Sequence, residues 1–273
     1  MIVDAHVHAW EKWPWKPEKD GSAQRLLDEL DRAGVARAIV ICAGLNGNDA
    51  NNEYVVAQSA DAEGRLIAFA DIDSRWSAHH GQPGIGRRVE DAVEQWGIRG
   101  VSHYLREDED ADWLAGPLGI DLAESLSRCG IVLSIAALPR HMPALAAFAR
   151  HRPDIPILLH HMGGIRSDSP DFAGQVERIA AMAIHPNLVL KISGFPHVAP
   201  SAAFPFEAVE WLAETFHRAF GASRLVWGSD FPVVERTMTY ADALETTRLH
   251  YAFLSSDEQE LLFGGNMLRL LNF

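Results

Sequence analysis

Two histidines near the start of the chain, His6 and His8, lie one residue apart in the segment Asp4-Ala5-His6-Val7-His8. Residues two apart on a β-strand point to the same face, so both imidazoles are expected to point in one direction. Neutral imidazole is a common ligand of zinc and similar ions, and Asp4 has the right parity to orient one ring. With 13 histidines in the chain a chance pair is the alternative, but its position at a strand end favours half of a metal site.

Asp230 follows an apolar run and comes directly before Phe231-Pro232. An aspartate after a strand often caps the next helix. The alternative is a functional carboxylate that binds a metal or acts as a general base for water. We favour the second interpretation, because the first and last strands of a closed barrel are neighbours and Asp230 would then lie beside His6 and His8. Asp230 is therefore predicted to be both a catalytic base and a metal ligand.

Polar residues also stand at the ends of two later apolar runs, at His160-His161 and at Lys191. Adjacent strand residues point to opposite faces, so at most one of the two histidines is expected to face the inside of a barrel. Gly163-Gly164, which follow them, would permit a close approach of substrate or backbone. A lysine inside a strand is costly to bury unless it is paired. Lys191 is predicted either in a polar layer of the site, where it would bind substrate, or on the helix-facing side.

The loop Trp10–Pro17 contains three tryptophans and two prolines. It is predicted to be a stiff aromatic flap whose exposed indole rings line a substrate pocket and shield it from water. The alternative is that it packs against a second copy of the chain in a homo-oligomer. The residues predicted to bind substrate are Trp10, His103, Tyr104 and Lys191.

Eight short apolar runs are predicted to be the strands that position these residues. The runs are nearly continuous, as in a parallel sheet that is covered on both faces. They are Ile2–His6, Ala38–Cys42, Leu66–Ile72, Ile98–Tyr104, Ile131–Ala136, Ile155–His160, Leu188–Ser193 and Leu225–Ser229. The helices predicted between and after them are Gln24–Arg32, Leu118–Arg128, Met142–Arg150 and Phe206–Phe220, with a capping box at Ser256-Asp257-Glu258-Gln259 opening the last one.

This alternation predicts an α/β fold, a (β/α)8 barrel forming one domain over residues 1–273. A doubly wound open sheet is the alternative, but no G-x-G-x-x-G follows an early strand. A barrel carries its active site at the carboxyl ends of its strands, where the candidate residues lie.

The overall composition narrows the class of partner. With 24 basic and 37 acidic side chains, the formal charge of −13 disfavours nucleic acid and anionic membranes. No apolar stretch approaches the length needed to span a bilayer. The two cysteines form no metal or disulfide framework, which fits a reducing compartment. The expectation is a cytoplasmic protein that acts on a small molecule.

Five segments taken in chain order resemble the amidohydrolase superfamily, in its amidohydrolase-related branch. They are Asp4-Ala5-His6-Val7-His8, His161-Met162-Gly163-Gly164, Lys191-Ile192-Ser193-Gly194, Trp227-Gly228-Ser229-Asp230-Phe231-Pro232 and Gly265-Asn266-Met267-Leu268-Arg269-Leu270. The resemblance runs from residue 2 to the C-terminus and implies a distorted (β/α)8 barrel. It also implies metal ligands at His6 and His8, the strand-eight aspartate at Asp230 and the strand-six histidine at His161.

The sequence departs from part of that branch on the fifth strand. The metal-dependent decarboxylases carry a further histidine ligand there, where this chain has Ser134-Ile135-Ala136. The remaining pattern resembles the lactonases of pyrone dicarboxylate and of sugar acids, some of which bind zinc while others need no metal. The fourth-strand segment Gly100-Val101-Ser102-His103 lacks the arginine with which pyrone-type enzymes hold a carboxylate.

The resulting prediction is a hydrolase that opens a small lactone or related cyclic ester. Asp230 would deprotonate water, while His6, His8 and His161, with or without one zinc ion, would polarise the carbonyl. One alternative is a metal-dependent decarboxylase of an aromatic or unsaturated acid. Another is a non-catalytic binding protein on the same fold.

Overall fold

Eight parallel strands form one sheet in which each strand pairs with the next in chain order. The computed structural model describes residues 1–272. The strands are β1 (Val3–Val7), β2 (Arg37–Ile41), β3 (Leu66–Asp71), β4 (Gly100–Tyr104), β5 (Val132–Ala136), β6 (Ile157–Leu159), β7 (Leu188–Ile192) and β8 (Leu225–Trp227). A single bridge between Val7 and Phe231 returns the sheet to its first strand. The chain is a nearly closed, single-domain (β/α)8 barrel, as predicted.

Helices connect the strands and cover the outside of the barrel. They are α1 (Ala23–Ala33), α2 (Asn51–Asp61), α3 (Ile85–Trp96), α4 (Pro117–Cys129), α5 (Met142–His151), α6 (Phe172–Ala181), the single turn α7 (Phe195–Val198), α8 (Trp211–Phe220), α9 (Tyr240–His250), α10 (Ser256–Glu260) and α11 (Asn266–Leu270). The first of them shows how the local sequence sets the bounds: the Ser22 hydroxyl accepts from the Arg25 amide at 3.2 Å, and Gly34 ends the helix with φ of 67°. Across residues 1–272, none of the helices has the length and apolar character needed to cross a membrane.

Two predicted helix starts are wrong. The helix predicted from Phe206 begins at Trp211, because Phe206 has φ of 64°, a left-handed conformation that a helix interior does not accept. The last capping box lies one residue earlier than predicted: Ser255 caps α10 and Glu258 bonds back to its amide.

The inside of the barrel is filled at its amino-terminal end by aliphatic and aromatic side chains, among them Val3, Ile39 and Phe69. Met267 and Leu271, which belong to α11 and the residue after it, pack against this layer and close the barrel from below. The amino-terminal end is therefore a packed core. Polar side chains are found at the other end of the strands, where the fold leaves room for a site.

Candidate active site

The first and last strands meet at a seam, and the seam is where the candidate site begins. The Asp230 amide donates to the His6 carbonyl at 2.8 Å, and the His8 amide donates to the Phe231 carbonyl at 2.6 Å. These two hydrogen bonds place the segment after β8 alongside the end of β1. Asp230 consequently lies beside both histidines, as barrel closure predicts.

Asp4 stabilises this seam from below. Its Oδ1 accepts from the backbone amides of His6 and Ser229, at 3.0 Å each, and its Oδ2 accepts from the Tyr240 hydroxyl at 2.9 Å. Burial raises the pKa of Asp4 to about 6, although these hydrogen bonds oppose the shift. The prediction that Asp4 orients a histidine ring is therefore wrong, because its contacts join the backbones of the first and last strands.

Three histidine rings converge on one oxygen of Asp230. The Nε2 atoms of His6, His8 and His161 lie 3.6, 3.5 and 3.8 Å from Asp230 Oδ1. Asp230 is only 3% exposed and has φ of 64°, a left-handed conformation that is uncommon outside glycine. The four predicted residues are therefore brought together around one buried carboxylate.

The surroundings set the charges in this cluster. Burial lowers the pKa of His6 well below its usual value, and the neighbouring Lys191 adds to the shift. Desolvation lowers the pKa of His161 to about 3. Burial alone would raise the pKa of Asp230, but the nearby histidines His161, His197 and His8 outweigh it and hold the pKa well below its usual range. At neutral pH the His6 and His161 imidazoles are therefore neutral and lie beside an ionised carboxylate.

Both histidines of the His160-His161 pair face the centre, which contradicts the expectation from strand alternation. The strand β6 ends at Leu159, and His161 and Met162 have φ of 45° and 51°. This left-handed turn breaks the alternation, so that the His160 and His161 rings lie 4.5 and 4.4 Å from the His6 ring. Gly163 is needed in the turn because a Cβ there would lie 2.3 Å from Ile179 Cδ1. The group that approaches Gly163 closely is therefore the Ile179 side chain, where the sequence had suggested substrate or backbone.

A chain of buried polar side chains lies beneath the cluster. Lys191 Nζ donates to Ser134 Oγ at 2.8 Å and lies 3.2 Å from His6 Nδ1, while Ser134 Oγ lies 2.7 Å from His160 Nε2. Burial lowers the pKa of the fully buried Lys191. Lys191 is not among the residues that line the cavity described below; it lies in a buried polar layer beside His6, which is one of the two positions predicted for it. Ser134 belongs to the fifth-strand segment Ser134-Ile135-Ala136, in which a further histidine ligand was predicted to be missing.

The donor atoms of the cluster fit one divalent ion. His6, His8 and Asp230 each offer a ligand atom within 4.8 Å of the others, and so do His6, His160 and His161. Two imidazoles and a carboxylate are a ligand set that catalytic zinc uses. His8 Nδ1 lies 2.7 Å from the Ile41 carbonyl oxygen, an arrangement that leaves Nε2 free to ligate and is usual for metal-bound histidine.

A cavity of about 560 Å³ opens beside His8 at the carboxyl ends of β1 to β4. The ring of Trp10 stacks on the ring of His8 at 4.9 Å, and Trp10 Nε1 donates to the Ala43 carbonyl at 3.0 Å. Aromatic rings and side chains of both charges form its walls. The lining residues are His8, Trp10, Trp15, Ala43, Leu45, Asn46, Arg75, Trp76, Tyr104, Arg106, Glu107 and Asp108.

The other predicted substrate contacts separate into two groups. Trp10 and Tyr104 line the cavity, and the buried Tyr104 hydroxyl has no hydrogen-bond partner within residues 1–272. His103 is not among the lining residues: its ring stacks on His80 at 5.3 Å and its Nδ1 lies 2.8 Å from the Ile72 carbonyl. The strand alternation that turns Tyr104 inward turns His103 outward, so His103 does not fit its predicted role.

The flap is less exposed than predicted. Trp10 and Trp13 are fully buried, and only Trp15 is exposed, at 43%. Trp13 packs behind Trp10, with Ala43 and Val233, while Arg236 lies over the face of Trp15 at 4.5 Å. Within the flap, Trp13 therefore packs in the interior, while Trp10 and Trp15 line the cavity.

Sequence reasoning missed His197, which lies on the short helix α7. His197 Nε2 lies 3.0 Å from Asp230 Oδ2, and this hydrogen bond raises the pKa of His197. The signal in the sequence is a Gly-Phe-Pro-His segment directly after a strand that carries Lys191 and Ser193. Ser193 Oγ lies 2.9 Å from His161 Nδ1, so this strand end contributes two contacts to the cluster.

A cluster of histidine and aspartate side chains at the carboxyl ends of the strands of a parallel (β/α)8 barrel is typical of an enzyme active site. The chain belongs to the amidohydrolase family, whose profile, described as Amidohydrolase, matches residues 3–273. This assigns it to the hydrolases of the amidohydrolase superfamily, as the resemblance of its five segments implies.

The chain is similar over its whole length to several known proteins. It is 27% identical to an L-fucono-1,5-lactonase of Burkholderia ambifaria, with 97% of this chain and 93% of the relative covered. An amidohydrolase structure from Burkholderia multivorans with bound zinc aligns with a TM-score of 0.81 at 20% identity, over 100% of this chain and 99% of the other. A probable 2-pyrone-4,6-dicarboxylic acid hydrolase from Acinetobacter baumannii, with citric acid bound, aligns with a TM-score of 0.79 at 17% identity and the same coverage.

Proposed function

We propose that this protein hydrolyses a sugar-acid lactone whose ring carries hydroxyl groups and no charge. The observation that carries the proposal is the ionised Asp230 carboxylate, whose Oδ1 lies within 3.8 Å of three histidine Nε2 atoms beside a cavity of about 560 Å³. The similarity to a lactonase along 97% of the chain supports the same reaction class.

In the proposed reaction, Asp230 Oδ1 accepts a proton from a water molecule whose oxygen attacks the lactone carbonyl carbon. The ring carbon–oxygen bond then breaks, and the departing ring oxygen takes the proton back from Asp230. His6, His8 and His161 surround Oδ1 and orient the water and the carbonyl oxygen. A divalent ion bound by His6, His8 and Asp230 would supply Lewis acidity to the water and the carbonyl.

The cavity walls favour a neutral, hydroxyl-rich ring over a dicarboxylate. Arg75 and Glu107 form an ion pair at 2.9 Å, so this arginine stands beside a carboxylate that would repel a carboxylate of the substrate. Arg106 and Asp108 add one charge of each sign. Such groups can exchange hydrogen bonds with hydroxyls, while Trp10 and Trp15 offer apolar faces to the carbon side of a ring.

A panel of lactones assayed with a pH indicator tests the proposal. We expect uncharged sugar-acid lactones to be opened with a kcat/KM at least about 100-fold above that for 2-pyrone-4,6-dicarboxylate. This ratio corresponds to a difference of about 2.7 kcal/mol in transition-state binding. Preference for the dicarboxylate would overturn the substrate class. Release of carbon dioxide from aromatic acids, with no lactone opened, would favour the decarboxylase hypothesis instead.

A further inference from the structure

The two oxygens of the Asp230 carboxylate have different partners. Oδ1 faces the three histidine Nε2 atoms of the cluster at 3.5 to 3.8 Å. Oδ2 points away from them and lies 3.0 Å from His197 Nε2. A carboxylate rotates about its terminal bond with little intrinsic preference, so the direction of each oxygen depends on the groups that bond to it.

His197 is delivered to this position by a tightly constrained turn. After β7 the chain turns at Gly194, which has φ of 68°, and a Cβ there would lie 2.8 Å from His161 Nδ1. The chain therefore passes directly against His161 before it forms α7. Phe195 and Val198, on either side of His197, are buried in the core, so the ring is held by a packed segment.

The backbone of Asp230 does not fix the rotation of its carboxylate, and the hydrogen bond to His197 supplies this constraint. The His197 side chain is 46% exposed, while Asp230 is almost completely buried. The bond therefore reaches the carboxylate at Oδ2, from a side chain that is partly open to solvent. Its direction holds Oδ2 outward and leaves Oδ1 directed at His6, His8 and His161.

We propose that His197 is a positioning residue that fixes the orientation of the Asp230 carboxylate, so that Oδ1 faces the reacting water. This inference rests on the proposed function, in which Oδ1 is the base. Positioning errors of about 1 Å can cost on the order of 100-fold in rate. The part of His197 that matters is its Nε2–H donor, which a glutamine side chain can imitate and a leucine cannot.

Three variants test the proposal. We expect His197→Leu to lower kcat by about 10- to 100-fold with KM changed less than about threefold, and His197→Gln to recover most of that loss. His217→Leu is the matched control, because His217 Nε2 lies 3.1 Å from Glu258 Oε1 in a similar pair on α8 and α10. It should leave kcat and KM unchanged.

Crystal structures of the same variants give a readout that needs no substrate. In His197→Leu we expect the Asp230 carboxylate to rotate, whereas in His197→Gln it should keep its orientation. An unchanged carboxylate and unchanged kcat in His197→Leu would overturn the proposal, and so would a His197→Gln variant as slow as His197→Leu. If the wild-type protein opens no lactone, the proposed function fails, and the structures still decide whether His197 orients Asp230.

Discussion

Asp230 is held in an unfavourable state in two respects. Its backbone is left-handed with φ of 64°, and its ionised carboxylate is almost completely buried. Left-handed backbone in a residue other than glycine costs on the order of 1–3 kcal/mol, and such residues concentrate at functional sites. The hydrogen bond between His197 Nε2 and Asp230 Oδ2 offsets part of the cost of burying the charge.

We expect Asp230→Asn to lower kcat by a factor on the order of 10²–10⁴, since an amide cannot accept the proton of water. The fold should remain, because asparagine also tolerates a left-handed backbone. The measurement is lactone hydrolysis together with circular dichroism. The exposed Asp257→Asn serves as the control. A folded Asp230→Asn protein with near-normal kcat would remove Asp230 from the mechanism.

Lys191 is the second residue whose burial is difficult to explain by stability. It is fully buried, and its Nζ contacts are the neutral Ser134 Oγ and His6 Nδ1. Replacing Lys191 with an apolar side chain of similar length removes the cost of burying an ammonium group, but it also leaves the Ser134 hydroxyl and His6 Nδ1 without their partner. We therefore expect Lys191→Met to change the free energy of unfolding by no more than about 1 kcal/mol, while it lowers kcat at least about tenfold because His6 loses its partner.

Urea unfolding and lactone kinetics on the same Lys191→Met preparation check this expectation. Lys12→Met, at an exposed position, controls for the chemical change and should affect neither quantity. If Lys191→Met were strongly destabilised, the lysine would be a structural residue of the barrel.

At the residue level, the sequence was sufficient where parity and strand order decide the outcome. His6, His8 and Asp230 came together because β1 and β8 are neighbours in a closed barrel. The pair His160 and His161 could not be resolved, because the left-handed turn at His161 breaks the alternation. The contact of His197 with Asp230 depends on a one-turn helix after Gly194, which has no periodic signal.

At the level of elements, all eight strands were predicted and none of their bounds moved by more than two residues. The difference between predicted and observed length is largest for β6, because the chain leaves the sheet after Leu159 to form the left-handed turn. Helices α2, α3, α6 and α9 were not predicted; in α9, buried Thr246, Thr247 and His250 interrupt the apolar stripe. Polar residues that are buried in the core hide helical periodicity from the sequence.

In the flap, residues Trp10–Pro17, we expect some tryptophans to affect substrate binding and others to affect the stability of the fold. Trp15 is exposed and lines the cavity, while Trp13 is fully buried and packs with Trp10, Ala43 and Val233. Trp15→Ala should raise KM several-fold and leave stability unchanged. Trp13→Ala should cost about 3–5 kcal/mol of unfolding free energy, as for other buried aromatic residues.

Steady-state kinetics and urea unfolding on both variants measure the two effects. Trp10→Ala is expected to show both, because Trp10 is buried and also lines the cavity against His8. Wild-type KM in Trp15→Ala and Trp10→Ala together would mean that the flap does not contact substrate.

For the whole molecule, the buried neutral histidines make stability depend on pH. Burial lowers the pKa of His103 to about 4, below the value of about 6.5 in an unfolded chain. The unfolded state therefore binds more protons between these values, so the contribution of His103 is full above pH 6.5 and is lost as the pH falls to 4. Asp4, with its pKa raised by burial to about 6, acts in the opposite direction.

We expect the free energy of unfolding to fall between pH 6.5 and 4, and His103→Gln to remove on the order of 3 kcal/mol of that dependence. The measurement is urea unfolding at half-unit pH steps for both proteins. His79→Gln, at an exposed position, is the control. Parallel curves for the wild type and His103→Gln would show that His103 does not titrate below its usual pKa when folded.

The seam between β1 and the segment after β8 has a consequence for how the protein is made. His6 and His8 leave the ribosome before Asp230, which follows only after the last strand has been synthesised. A nascent chain that lacks β8 holds the histidines without the proposed base, and its sheet has two open edges. Lactone hydrolysis would then begin only when the barrel closes, so enzymatic activity would report the completion of folding by each newly synthesised molecule.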